Sequence, residues 1–188
     1  MDFYHIALYL HILAVVVASG ATTVTKLAAA RRATARTVGD ALEWHTLLAS
    51  ASKLFPIVLA VFVLTGAFML SRGQPSVWSS GFVVAGLTGV VLLFASGIYL
   101  GLKGKALGAF LQSVASRGLE QPAPRLVAPP MVATLPAVNT GIALAVTFDM
   151  VTKPASVPVA LGIVALGIAI SLVLGARRSA PVAKSAAA

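Results

Sequence analysis

The sequence contains no cysteine and few charged residues, and both shortages restrict the class of protein. Without cysteine among its 188 residues, the chain has no disulfide, iron–sulfur site or thiolate metal site. Charged residues make up 10% of the chain and hydrophobic residues 59%, whereas a soluble domain has about 25% charged residues. Because so few charges do not cover a water-soluble surface, the composition predicts an integral membrane protein whose main partner is the lipid bilayer.

Acidic residues are scarcer than basic ones, and the net charge is +9. The basic residues form no single solvated face, because they lie in short connections between apolar runs, where they meet anionic lipid headgroups. This distribution argues against nucleic acid as a partner. The sequence also has no P-loop, G-x-S-x-G or H-E-x-x-H motif, so it leaves open whether the protein is an enzyme.

Five apolar runs are long enough to cross a bilayer as helices, at about 6–30, 54–70, 81–102, 131–151 and 155–176. A bilayer core of about 30 Å needs roughly 20 residues per helix. Continuous rather than alternating hydrophobicity excludes a porin-like barrel. The runs predict an all-α, polytopic membrane helix bundle as one domain over residues 1–176, with a disordered basic and alanine-rich tail over 177–188.

The basic residues fall mostly on one side of these spans. Twelve lie in or beside the first connection, the third connection and the tail, whereas only Arg72 and Lys153 lie on the other side. The positive-inside rule therefore places the N-terminus outside and the C-terminus in the cytoplasm, in a multi-pass arrangement.

The first connection carries a helix-start pattern. Asp40 as N-cap and Glu43 at the third helical position predict a helix from about Ala41, and Pro56 is expected to bend it at the hydrocarbon boundary. His45, beside a tryptophan, is interpreted as an interfacial residue.

Two histidines stand in the first span. At 100° per residue, His11 shares a face with Ala18 and Thr22, so it is predicted to point at a neighbouring helix. His5 lies near the outer boundary on another face. Two interpretations of His11 stay open: a hydrogen bond that holds two helices together, or a haem ligand, metal ligand or proton-handling group.

The fourth span contains polar residues beside a proline. Pro136 frees a backbone carbonyl, and Asn139 and Thr140 follow it, so the amide of Asn139 is expected to bond to the first or third span. Asp149 lies near the outer end of this span. It is interpreted either as part of a cluster with the two histidines of the first span or as a boundary residue paired with Lys153.

Two faces are predicted to pack against other helices. In the third span, Gly97 and Gly101 form a GxxxG motif, which predicts close helix contact within the chain or in a homo-oligomer. In the fourth span, one stripe is formed by Asn139, Ala143, Val146 and Met150.

The segment "LHILAVVVASGATTVTKLAAARR" resembles the first span of a group of small bacterial membrane proteins. These proteins open with leucine, histidine and isoleucine or valine, continue through small residues and end in a basic cytoplasmic cluster, and "LTGAFML" at the end of the second span fits the same group. The chain is similar to a predicted integral membrane family of unknown function, number 2269. In layout it is also similar to the copper resistance protein D membrane domain and to HemJ-type protoporphyrinogen oxidase. In the latter a first-span histidine is tied to haem, and His11 is the matching position.

Three function classes follow from these residues. The first is a bundle that binds haem b or a metal through His11 and serves redox or haem metabolism in the bacterial inner membrane. The second is a small permease or channel-like protein with a polar path past Asn139, Thr140 and Asp149. The third is a non-catalytic subunit of a membrane complex. The resemblance favours the first class.

Reporter fusions test the predicted orientation. A reporter fused after Ala188 should be active in the cytoplasm and one inserted at Gly73 should be active outside, because connections rich in basic residues stay in the cytoplasm. Joint replacement of Arg31, Arg32 and Arg36 should give mixed orientations. Activity of both wild-type fusions on one side, or the reverse pattern, contradicts the five-span topology.

Overall fold

The computed structural model describes residues 2–124 and 128–179. A short 3-10 turn, Pro75–Ser79, separates the third and fourth of its helices. The α-helices are α1 Phe3–Ala33, α2 Val38–Ser52, α3 Leu54–Ser71, α4 Gly81–Ala115, α5 Pro130–Thr152 and α6 Val157–Ser179. Five helical segments are long and apolar enough to cross a membrane, with α2 and α3 counted as one. The prediction of an all-helical chain with five spans is confirmed, whereas the orientation of the termini stays a prediction.

The helices belong to two compact units. The first contains residues 2–75 and 97–124, and the second contains residues 76–96 and 128–179. The first unit therefore holds α1, α2, α3 and the second half of α4. The second unit holds the first half of α4 with α5 and α6.

Alanines at every seventh position form the buried face of α1. Ala7, Ala14, Ala21 and Ala28 are buried, and α1 packs along both α2 and α3. Such small side chains let helix backbones approach closely where lipid offers no hydrophobic driving force. A strict seven-residue repeat also keeps one stripe facing the partner along the whole helix. His11 lies one turn after Ala7, beside this stripe.

Pro56 explains why α2 and α3 are separate helices. Its ring nitrogen carries no hydrogen for the carbonyl of Ser52, where α2 ends, and Lys53 forms the junction. The predicted start of this segment is wrong by one turn. Thr37 is the N-cap, and its side chain accepts a hydrogen bond from the backbone N–H of Asp40 at 3.1 Å. Asp40 itself therefore lies inside the helix.

The free N–H groups at the start of α2 are satisfied by a loop that follows α4. Val38 donates to the carbonyl of Gln121 at 2.9 Å, and Gly39 donates to that of Leu119 at 3.0 Å. In the second unit, the α5–α6 loop serves the start of α4 in the same way, since Gly81 donates to the carbonyl of Ala155 at 2.9 Å. The first N–H groups of α2 and of α4 are thereby bonded to carbonyl groups of a loop in the same unit.

Glycines allow the helices of the second unit to approach one another closely. Gly86 and Gly89 of α4 face Met150 and Val146 of α5, so the predicted stripe on the fourth span does pack against the third. On its other side α5 meets α6, and a Cβ added at Gly141 would overlap the carbonyl of Gly167. A cluster of small and branched side chains closes this core, formed by Ala85, Ala145, Ala160 and Val164.

Large apolar side chains point outward instead of inward. Leu64, Leu144 and Val151 are 69%, 67% and 77% exposed. This inversion of the soluble pattern is expected where lipid, rather than water, surrounds the helices.

Two predicted ends differ from the observed helices. The third span was expected to end at 102, but α4 continues to Ala115, because Lys103 and Lys105 change hydropathy without breaking the helix; the chain turns at Gly118, whose φ is +143°. In the predicted tail, residues 177–179 belong to α6, and residues 180–188 lie outside the described part of the chain.

Candidate functional site

His11 contacts α3, as its helical face predicts. Its Nδ1 lies 2.9 Å from Oγ1 of Thr65, and its ring meets Phe62 edge-on with 4.9 Å between ring centroids. Gly66 lies beside the imidazole, since a Cβ added there would be in ordinary contact with Cε1 at 3.7 Å. The side chain therefore points at the neighbouring helix rather than at lipid.

The second hydrogen bond of the Thr65 hydroxyl indicates the tautomer of His11. The hydroxyl of Thr65 donates its one hydrogen to the carbonyl of Val61 at 2.6 Å, so Oγ1 accepts from His11. Nδ1 then carries the hydrogen, and Nε2 carries the lone pair. Within the described residues Nε2 makes no hydrogen bond. A histidine that ligates a metal has the same arrangement, with one nitrogen bonded to the protein and the other directed at the metal.

His5 stands apart from this contact. Its side chain is 74% exposed, and Nδ1 lies 3.8 Å from the carboxylate of Asp2 in the first turn of α1. Asp2 also caps α1 by accepting from the backbone N–H of Tyr4. His5 therefore sits at an exposed helix end, whereas His11 is held by a second helix.

A second histidine contact joins the other end of the same helices. Nη1 of Arg32 lies 3.0 Å from Nδ1 of His45, and His45 is 7% exposed. A guanidinium only donates, so Nδ1 of His45 accepts and Nε2 carries the hydrogen. Nε2 lies against α4, where a Cβ added at Gly108 would be 2.7 Å away. The interpretation of His45 as an interfacial residue missed this contact.

The two histidine contacts lie about one bilayer thickness apart. From His11 to Arg32 α1 rises about 32 Å, and from His45 to Thr65 the antiparallel partner rises about 30 Å. A hydrocarbon core is also about 30 Å thick. The two contacts are therefore separated by about the thickness of a hydrocarbon core.

The polar residues of α5 bond within the second unit. Oγ of Ser96 in α4 lies 2.8 Å from Oδ1 of Asn139, which confirms the predicted bond between the fourth and third spans. Thr140 donates to the carbonyl of Pro136 at 2.9 Å. The two residues therefore lie beside the proline, with the amide on the α4 side.

Asp149 is the least satisfied polar residue of the described chain. It is 0% exposed, and neither carboxylate oxygen has a hydrogen-bond partner among the described residues. The proposed pairing with Lys153 runs only through the main chain, where the Lys153 N–H donates to the Asp149 carbonyl at 2.8 Å. Asp149 lies one turn beyond Ala145, on the face of α5 that packs in the cluster with α6.

No three histidine, aspartate or glutamate side chains lie close enough to hold a metal ion within either unit, as far as the structure describes them. The predicted cluster of His5, His11 and Asp149 would join residues of two units and stays a prediction. Gly97 and Gly101 have open space on the side where a Cβ would stand, with no described atom within 4 Å. A homo-oligomer through these two glycines also stays a prediction.

Comparisons of the chain with protein-family models, with curated proteins and with solved structures find no match.

Sequence reasoning missed the contact between Arg32 and His45 and the complete burial of Asp149. One signal for the first was present, because His11 and Arg32 lie three seven-residue repeats apart and so share a face of α1. Asp149 gave no comparable signal, because its burial depends on how the helices of the second unit pack together.

Proposed function

We propose that the protein is a bacterial inner-membrane haem b protein, with its N-terminus outside and its C-terminus in the cytoplasm, in which His11 would ligate the haem iron. The observation that carries the proposal is the hydrogen bond between His11 and Thr65. Thr65 accepts from Nδ1–H, and this leaves the lone pair of Nε2 for a metal. Haem would supply one-electron redox chemistry at this end of the first unit.

The surrounding residues fit a role for His11 as one ligand to the iron of haem. Thr65 is buried and is itself fixed by Val61, so it holds the imidazole in one orientation. By accepting from Nδ1–H, it also makes Nε2 a stronger electron donor. Phe62 contributes an aromatic edge, and Gly66 keeps the adjacent surface of α3 free of bulk. These neighbours thus hold the imidazole of His11 in position, and the first unit offers no second histidine beside it.

The visible absorption spectrum tests this proposal. The purified protein, supplied with haemin, should show a Soret band that His11→Gln removes without loss of membrane insertion. Thr65→Val should weaken haem retention on the order of 10–100-fold, as loss of an outer hydrogen bond to a ligating histidine does. His5→Gln is the matched control and should keep the band. A protein that stays colourless with haemin, or a His11→Gln variant that keeps the band, contradicts the proposal.

A second candidate function, a proton-linked permease, is favoured by Asp149 alone. An isolated carboxylate without hydrogen bonds is costly inside a membrane protein, and residues of this kind often serve ion or proton paths. Protonation would remove the charge, and deprotonation would restore it. Asn139 and Thr140, which precede Asp149 in α5, would provide polar groups on the same helix.

Proton flux into liposomes that contain the protein tests the second candidate. With a pH-sensitive dye inside the vesicles, the wild-type protein should carry protons and Asp149→Asn should lower the rate by about tenfold or more, because the only change is loss of the ionisable group. Glu43→Gln removes an exposed carboxylate of α2 and should leave the rate unchanged. Equal rates for Asp149→Asn and wild type, or no flux in either, rule out this role.

A further inference from the structure

A cavity of about 390 Å³ lies between α2 and α4 in the first unit. Its volume is at the lower end of the range for small-molecule sites, which is about 300–1,000 Å³. The polar residues that line the cavity are His45, Thr46, Ser50 and Lys53 on one side and Lys105 and Gln112 on the other. The rest of the lining consists of leucine, alanine and glycine.

The lining is positively charged and contains no carboxylate. Lys53 stands at the end of α2, and Lys105 stands on α4. Among the described residues neither ammonium group forms an ion pair with an acid, since the one pair found there joins His5 and Asp2. Two unpaired ammonium groups on opposite walls of one cavity favour an anionic ligand.

His45 adds a fixed hydrogen-bond donor to this wall. Because Arg32 donates to Nδ1, the hydrogen of the imidazole is on Nε2, beside Gly108. The guanidinium of Arg32, bonded to Nδ1 of His45, adds a further positive charge. The contact between Arg32 and His45 therefore contributes to the cavity as well as to helix packing.

We infer that this cavity binds a phosphate group, held by Lys53, Lys105 and the Nε2–H of His45. Phosphate accepts several hydrogen bonds at once, and lysine is a common point-charge partner for it. Ser50 and Gln112 provide further donors in the lining. Thr46 donates to the carbonyl of Leu42 at 2.9 Å and so serves the helix rather than the ligand. The phosphate belongs either to an anionic lipid headgroup or to a small soluble phosphate.

Two residues of α4 provide matched control variants. Lys103 lies two residues from Lys105, but its Nζ stands over the ring of Tyr99 at 5.7 Å and it does not line the cavity. Gly104 has open space where a Cβ would stand, whereas a Cβ at Gly108 would displace His45. Lys103→Gln and Gly104→Ala therefore control for charge and for helix propensity.

Calorimetry and native mass spectrometry test the inference on the full-length protein. In phosphatidylcholine nanodiscs, calorimetry measures the binding of inorganic phosphate and of glycerol 3-phosphate. In nanodiscs that also contain phosphatidylglycerol, native mass spectrometry counts the phosphatidylglycerol molecules that the protein retains. Lys105→Gln and Gly108→Ala should each weaken binding by about tenfold or more, as loss of a charge-assisted contact does. Lys103→Gln and Gly104→Ala should change it by less than about twofold.

The two arms separate the sources of the phosphate, and either positive result supports the site. Soluble phosphate that binds in phosphatidylcholine identifies a soluble ligand, and retained phosphatidylglycerol without soluble binding identifies a lipid headgroup. If Lys105→Gln does not insert, Lys53→Gln replaces it. The inference is overturned if no probe binds the wild type, or if the control variants weaken binding as much as the cavity variants do.

Discussion

Inside the hydrocarbon core of a bilayer no water satisfies a buried donor, so each polar hydrogen in a spanning helix needs an acceptor within the protein. This constraint explains the helical class of the chain. It also explains why hydroxyl groups bond to carbonyls of their own helix, as Thr65 does to Val61 and Thr140 does to Pro136. Once the hydroxyl of Thr65 has donated, it is left as an acceptor. The tautomer of His11 follows from that single bond.

The same reasoning gives two of the three histidines of the first unit, His11 and His45, opposite tautomers. At one end of α1, His11 donates through Nδ1 and keeps its lone pair on Nε2. At the other end, Arg32 forces His45 to accept through Nδ1 and to carry its hydrogen on Nε2. One imidazole is therefore suited to bind a metal cation, and the other to bind an anion. Since about 30 Å of helix separates them, the two contacts join the antiparallel helices at places about one bilayer thickness apart.

Sequence patterns predicted the features that depend on one helix at a time. The five spans, the inward face of His11 and the stripe through Asn139, Val146 and Met150 all follow from run length or from 100° periodicity. Features that depend on the register between helices were missed, such as the burial of Asp149. The N-cap was predicted wrongly because Thr37 and Asp40 are both good capping residues, and the loop carbonyls that accept from Val38 and Gly39 come from a distant part of the chain.

The account depends most directly on the protonation site of His11, and nitrogen NMR of the protein labelled with ¹⁵N-histidine measures it. The three histidines are assigned by the loss of signal in His5→Gln, His11→Gln and His45→Gln. The account predicts hydrogen on Nδ1 of His11 and on Nε2 of His45 when both rings are neutral. A spectrum in which neutral His11 carries its hydrogen on Nε2 would contradict it, because Thr65 would then not hold the ring with its lone pair directed away from α3.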